Sequence, residues 1–211
     1  YPFDALAGVG VAFKFILALA IKNRLKTTDV FNQYVDIATL GTIADVVPLL
    51  GENRVIVDKG LKILHNPKRI GIRAIMEVAG VLDKPLNAST IAFSIAPRLN
   101  AAGRLGSAAT AVELLLTNDE SRARELALLL DTENKERQQT ERQIFDEALE
   151  LIAKDPNFEK KKVIVLAQEN WHQGVIGIVA SRLCDMYYKP CILISHTNGV
   201  GKGSGRSIKG F

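Results

Sequence analysis

Apolar side chains recur every three or four residues through much of the first half of the chain. That spacing is typical of helices with one buried face. Residues 87–90 are expected to form a turn and to provide an N-cap for a segment that begins at Ile91, and residues 34–40 form only a short apolar run. The pattern predicts helices over residues 5–26, 55–64, 72–79 and 107–116.

A longer helix is predicted over residues 118–153. It is amphipathic at both ends, whereas residues 131–143 are polar on every face. That pattern favours a bridge between two domains, although a plain long surface helix has the same signature. Glu133 and Arg137, and Arg137 and Glu141, are spaced four apart for ion pairs along the helix.

The pattern changes after residue 155. Short apolar runs rich in β-branched residues predict strands over 161–167 and 190–195, and the segment between them, 174–188, has helical periodicity. Strand, helix and strand with short connections make a βαβ unit with a parallel strand pair. The sequence therefore predicts an α/β fold in which helices come first and a small α/β domain follows.

Composition narrows the class of protein. The chain has 211 residues, of which 47% are hydrophobic and 24% charged, a balance typical of a soluble globular protein with one large domain or two small ones. The net charge of +4 permits a polyanionic partner without demanding one. Cys184 and Cys191 predict no disulfide framework and are expected to be reduced buried thiols. The apolar run 17–21 is too short to span a bilayer, so we expect a cytoplasmic protein without a membrane partner.

The segment GTIADVVPLL (41–50) carries one isolated carboxylate, Asp45. A carboxylate among apolar neighbours is costly to bury unless it is paired or binds a metal. It is therefore either a turn or N-cap aspartate or a metal ligand. A complete two-metal site needs several carboxylates or histidines, and this part of the chain offers too few of them.

The segment SIAPRLNAAGRLG (94–106) combines arginines with small residues. Pro97 is expected to end any preceding helix, and the glycines are expected to loosen the backbone. The guanidinium groups of Arg98 and Arg104 are planar, permanently charged and suited to binding phosphate. The side-chain amide of Asn100 both donates and accepts hydrogen bonds. The alternative is that the two arginines pair with nearby carboxylates.

The segment NWHQGVIG (170–177) lies where the first predicted strand gives way to the helix. His172 and Gln173 are expected in the loop, and Gly174 opens the helix, whose N-terminus offers free N–H groups to an anion. A solvated loop histidine is the alternative. Trp171 is either a core residue or a platform for a nucleobase.

The segment GVGKGSGRS (199–207) is rich in glycine and in hydrogen-bond donors. Lys202, Ser204, Gly205 and Arg206 are expected to form a loop able to cradle an anion. A flexible surface turn is the alternative. Together with the two preceding segments, it makes three separate regions with anion-binding groups.

Five segments in this order resemble the RecJ family of single-stranded-DNA-specific exonucleases, in the DHH phosphoesterase superfamily. No one of them decides the resemblance, but five in order around a long helix are specific. They are residues 6–14, 41–49, 97–104, 172–182 and 201–207.

The resemblance implies an enzyme that degrades single-stranded DNA from the 5′ end with two divalent ions, Mn²⁺ or Mg²⁺. Asp45 would be one metal ligand and a catalytic residue. Three further residues would complete the catalytic group by holding phosphates beside the metals: Arg98, Asn100 and Arg104. A second group would grip the DNA from the DHH-associated domain: His172, Gln173, Gly174, Ser204, Gly205 and Arg206.

The resemblance also implies a domain organisation. Residues 1–117 would be the end of a DHH domain, 118–155 a bridging helix, and 156–211 a truncated DHH-associated domain. The family's upstream aspartate and histidine motifs and its downstream domain are not in this sequence, so we expect a piece of a longer protein, inactive alone.

Single-stranded DNA is the expected partner of this chain. Its expected protein partners are of the single-strand-binding or helicase kind. Two alternatives stay open: a DHH phosphoesterase acting on short oligonucleotides or on phosphoadenosine phosphate, and a non-catalytic relative that binds single strands.

Overall fold

Helices build the first of two compact units. The computed structural model describes residues 1–211, and this unit comprises residues 1–102 and 107–132. The last residues of α6 and most of α8 belong to the second unit. The helices are α1 (Gly8–Lys22), α2 (Thr27–Ala44), α3 (Gly51–Leu64), α4 (Ile70–Val78), α5 (Ala88–Thr90), α6 (Ala96–Leu105), α7 (Ala108–Leu116) and α8 (Glu120–Ala153).

The four shorter predicted helices are confirmed with shifted ends, as α1, α3, α4 and α7. The helix α2 is longer than the apolar run that marks it in the sequence. It packs against both α1 and α3, and its buried residues include Val35, Thr39, Leu40 and Ile43. Because a helix packed on two sides needs a wide buried surface, its apolar positions do not form one clean stripe.

The expectation that Pro97 ends a helix is wrong. The chain stays helical from α5 through a π-helical segment, Ile91–Ile95, directly into α6. A proline ring collides with the carbonyl four residues earlier in a regular α-helix, and the wider π-helical turn makes room for it. The N-cap expected within residues 87–90 is Asn87, whose side chain accepts a 2.9 Å hydrogen bond from the Thr90 amide, but residues 88–90 are helical rather than a turn.

The second unit comprises residues 103–106 and 133–211. It contains a 3₁₀ turn (Phe158–Lys160), β1 (Ile164–Glu169), α9 (Ile176–Tyr187), β2 (Cys191–Thr197) and β3 (Val200–Arg206). The sheet has the order β1-β2-β3, with β1 and β2 parallel and β2 and β3 antiparallel. The predicted βαβ unit and the α/β class are therefore confirmed.

The glycine-rich segment expected to be a loop is a strand. In β3, Gly205 lies opposite Ile192 and Ser204 opposite Leu193. A two-residue turn connects β2 to β3, with φ of 51° at Asn198 and 76° at Gly199. Positive φ at both positions is the type I′ geometry that Asn-Gly favours in tight hairpins.

The core of the second unit lies between the end of α8, α9 and the sheet. Its members include Ile144, Trp171, Val179 and Leu193. Both cysteines are free and buried in it, as expected. None of the helices is long and apolar enough to cross a membrane.

The middle of α8 differs from the sequence expectation. Residues 131–143 were expected to be polar on every face, yet three of these polar side chains are buried: Asp131 is 7%, Asn134 2% and Arg137 9% exposed. Buried polar groups need partners, and the partners of Asn134 and Arg137 lie at the candidate site.

Candidate anion-binding site

The first part of the candidate site lies at the edge of the sheet where the parallel strands β1 and β2 both end. Ligands of α/β proteins bind at this carboxyl edge, beside the first turn of the connecting helix. The loop that follows β1 is fixed to the end of β2 by two hydrogen bonds. The Asn170 amide donates to the His196 carbonyl at 3.2 Å, and the Ser195 hydroxyl donates to the Trp171 carbonyl at 2.5 Å.

Trp171 is a core residue, which decides between its two alternatives. It is only 4% exposed, and its indole N–H donates to Glu147 of α8 at 2.7 Å. A buried indole needs such a partner. Trp171 therefore anchors the loop to α8.

His172 is exposed, but its ring is held in place. Its Nδ1 accepts a hydrogen bond from the Gly174 amide at 3.1 Å. The neutral ring therefore carries its hydrogen on Nε2, which can donate to a ligand. The His172 carbonyl accepts from the amides of Val175 and Ile176 at 2.9 and 3.1 Å, which begins α9. Gln173 is exposed beside it.

Arg104, in the last turn of α6, lies against this loop. Its Nη1 donates to the Gly174 carbonyl at 3.2 Å. A Cβ on Gly174 would overlap the carbonyl oxygen of Arg104, so only glycine permits this approach. Burial lowers the pKa of Arg104, and the positive charges of Arg137 and Arg206 lower it further. The Arg104 guanidinium is therefore close enough to those of Arg137 and Arg206 to be repelled by both.

Ser204 and Arg206 lie over the first turn of α9. They are two residues apart on β3 and so share one face of the strand. A Cβ on Gly177 would lie 2.9 Å from Ser204 Oγ and 3.0 Å from Arg206 Nη2. Arg206 also donates to Ser204 Oγ at 3.3 Å and to the Gly205 carbonyl at 2.6 Å. The structure thus brings together the predicted residues of three segments: Arg104, His172, Gln173, Gly174, Ser204, Gly205 and Arg206.

Sequence reasoning missed the polar network that supports this cluster. Arg137 donates to Asn134 Oδ1 at 3.1 and 3.3 Å and to Glu141 at 2.8 Å. Arg182 of α9 donates to the other oxygen of Glu141 at 3.1 Å and lies 4.0 Å from the Phe145 ring centre. The signal that could have found the network is spacing: the buried residues 134 and 137 and the half-buried residue 141 continue the stripe of α8 from 126 and 130 to 144 and 148.

Glu133 is a further polar residue of α8, and its Oε2 is buried without a hydrogen-bond partner. Burial, and then the charge of Glu136, raise the pKa of its carboxyl above the ordinary 4.5. The expected ion pair with Arg137 is absent, since Arg137 binds Asn134 and Glu141 instead. The ionised carboxylate therefore opposes folding near neutral pH.

Glu133→Gln is expected to stabilise the protein by about 1 kcal/mol at pH 7, because a neutral amide costs less to bury without a partner than an ionised carboxylate does. Below pH 4.5, its ordinary pKa, the carboxyl is protonated in both folded and unfolded states, so the gain should vanish. Urea unfolding at pH 7 and pH 4 measures this. Glu159→Gln, at an exposed glutamate, is the control, and an equal gain at both pH values would contradict the prediction.

The remaining predicted residues lie in the first unit. Asp45 is the exposed C-cap of α2, not an N-cap, and is followed by Val46 in a left-handed conformation at φ 57°. Arg98 donates to Asp131 at 2.8 Å and to the Ser94 carbonyl at 2.5 Å, while Asn100 is exposed. No group of three or more His, Cys, Asp or Glu residues could hold a metal ion. The residues of this chain therefore do not form a metal site by themselves.

Comparison with known proteins supports the resemblance seen in the motifs. Residues 160–211 match the DHHA1 domain. Over its full length the chain is 44% identical to the single-stranded-DNA-specific exonuclease RecJ of Bacillus subtilis, covering 26% of that protein, and 44% identical to RecJ of Haemophilus influenzae, covering 38%.

Solved structures of RecJ proteins share the fold of this chain over most of its length. RecJ of Thermus thermophilus in complex with Mg²⁺ superposes with a TM-score of 0.82 at 39% identity, over 94% of this chain and 30% of that one. Exonuclease RecJ bound to manganese gives a TM-score of 0.80 at 39% identity, over 95% of this chain and 48% of that one. This chain thus spans about a quarter to two fifths of the length of the curated relatives it matches. It is homologous to the RecJ exonucleases over its whole length and carries a DHHA1 domain at residues 160–211.

Proposed function

We propose that this chain is part of a metal-dependent exonuclease that degrades single-stranded DNA from the 5′ end, in DNA repair and recombination. Its second unit holds the phosphates of the strand. The observation that carries the proposal is the convergence of Arg104 and of the pair Ser204 and Arg206 on the start of α9. The matched relatives are single-stranded-DNA-specific exonucleases.

The chemistry of this cluster suits a phosphodiester backbone. Arginine forks bind phosphate oxygens with charge-assisted hydrogen bonds, and a helix N-terminus adds a partial positive charge. The repulsion among Arg104, Arg137 and Arg206 falls when an anion binds between them. Glu141 compensates part of this charge, so the cluster keeps a net positive charge to attract the strand.

The proposal includes a divalent ion, because RecJ structures contain Mg²⁺ or Mn²⁺. Asp45 would be the ligand that this chain contributes, with Arg98 and Asn100 holding phosphate. The proposed organisation has the end of a DHH domain over residues 1–117, a bridging helix over 118–155 and the DHH-associated domain over 156–211. We also propose a cytoplasmic location, with protein partners of the single-strand-binding or helicase kind.

Arg206→Ala is expected to weaken binding of a fluorescent single-stranded oligonucleotide about tenfold near 0.1 M salt, since a charged phosphate contact is lost. Removing one contact should also flatten the plot of log affinity against log salt by roughly 0.7. Fluorescence anisotropy at several salt concentrations measures both quantities.

Arg54→Ala is the matched control. It removes the same kind of side chain from an exposed position of α3, in the first unit and outside the cluster. Equal effects of the two variants would show that only net charge matters. An unchanged slope for Arg206→Ala would refute the proposed phosphate contact.

A further inference from the structure

A cleft of about 500 Å³ opens beside the proposed phosphate-binding cluster of Arg104, Ser204 and Arg206, within the second unit. Its volume lies in the range of roughly 300–1,000 Å³ that small-ligand sites occupy. Most of its lining residues are exposed, so the cleft is open on one side. The lining consists of Arg104, Asn170, Trp171, His172, Gln173, Gly174 and Thr197.

The lining is polar but carries only one permanent charge. Arg104 contributes a positive charge at one end, and no carboxylate lines the cleft. The side-chain amides of Asn170 and Gln173 and the hydroxyl of Thr197 make no hydrogen bond within the chain. These three groups therefore present unused neutral donors and acceptors next to a cation.

The wall of the cleft is fixed before any ligand arrives. Asn170 has a left-handed backbone at φ 63° and is hydrogen-bonded to β2 through its amide. Trp171 is held by Glu147, and the His172 ring is held by the Gly174 amide. A preformed wall avoids the entropic cost of ordering a loop on binding.

We propose that this cleft receives one nucleobase of the strand whose phosphates bind Arg104 and Arg206, an inference that rests on the proposed function. The amides of Asn170 and Gln173 would bind the base edge, and the ring of His172 would offer an aromatic face. Each amide both donates and accepts, so it can bind any of the four bases. The cleft therefore adds affinity for nucleosides without selecting a sequence.

The test compares two oligomers of the same length and charge, an oligothymidylate and a strand in which every nucleotide is abasic. The variant is Asn170→Gly, which retains the left-handed backbone. We expect the variant to bind oligothymidylate about fivefold more weakly than wild type does, the size of one neutral hydrogen bond. Its affinity for the abasic strand should change less than twofold.

Gln168→Ala is the control, because it removes an exposed amide of β1 that does not line the cleft. Equal weakening of both oligomers, or no weakening of either, would overturn the nucleobase site. If wild type binds both oligomers equally and Arg206→Ala weakens both, the phosphate site stands and only the nucleobase site is refuted. If wild type binds neither oligomer, the proposed DNA-binding surface is refuted, and this inference with it.

Discussion

Arg98→Ala is expected to lower the free energy of unfolding of the first unit by about 3 kcal/mol, the cost of removing one partner from a largely buried ion pair. The side chains of Arg98 and Asp131 are only 18% and 10% exposed, and Nε lies 2.8 Å from the carboxylate. Arg98 also donates to the Ser94 carbonyl. The substitution removes both bonds and weakens the compensation of a buried carboxylate.

Urea unfolding monitored by circular dichroism measures the loss. Arg98→Lys keeps the charge but not the planar fork, so we expect it to lose about half as much. Arg54→Ala, at an exposed arginine of α3, should change stability by less than about 0.5 kcal/mol. A loss at Arg98 no larger than that at Arg54 would contradict a structural role.

The same variant also tests the second role predicted for Arg98. Its Nε and one Nη are engaged within the chain, so a phosphate would have to bind the remaining part of the fork. Oligonucleotide binding by Arg98→Ala, measured well below its unfolding transition, separates the two roles. A flatter salt dependence would support the phosphate contact, and an unchanged one would leave only the ion pair.

The helices and strands that could be predicted are those whose apolar residues recur with a clear period. Helices with one buried face, such as α3, and the βαβ unit were predictable because burial leaves a regular pattern. The helix α2 was not, because it packs on two sides. The strand β3 was hidden by its three glycines, Gly201, Gly203 and Gly205, although Asn198-Gly199 is a strong hairpin signal.

The site residues that could be predicted are those recognisable by residue type, whereas residues defined by a contact made only in the fold could not be predicted. Arg104 and Arg206 stood out as cations among glycines, where few structural roles compete. Arg98 looked the same in sequence, yet its partner Asp131 lies 33 positions away, and sequence alone does not show such a pairing. Arg137 was missed because a charged residue is not expected on the buried face of α8, where it lies.

Glu141→Gln is expected to destabilise the second unit by about 3 kcal/mol. Glu141 is the carboxylate that Arg137 and Arg182 share, at 2.8 and 3.1 Å, and the Arg137 side chain is only 11% exposed. Without that negative charge, Arg137 is a buried cation near Arg104 and Arg206 with only neutral amides, at positions 134 and 141, to bind it. Thermal unfolding should show a clearly lower midpoint than wild type.

Inorganic phosphate should reverse part of this loss. An anion bound to the cluster supplies the missing negative charge, and a ligand that binds only the folded state raises its stability. Phosphate also stabilises proteins in general, so the gain must be compared with that of Glu147→Gln, a glutamate of α8 that binds the neutral Trp171. We expect phosphate to raise the unfolding midpoint of Glu141→Gln more than that of Glu147→Gln or wild type. Equal gains in all three proteins would mean that the cluster binds no anion in solution, whereas a selective gain would show that the arginines repel one another and that phosphate relieves the repulsion.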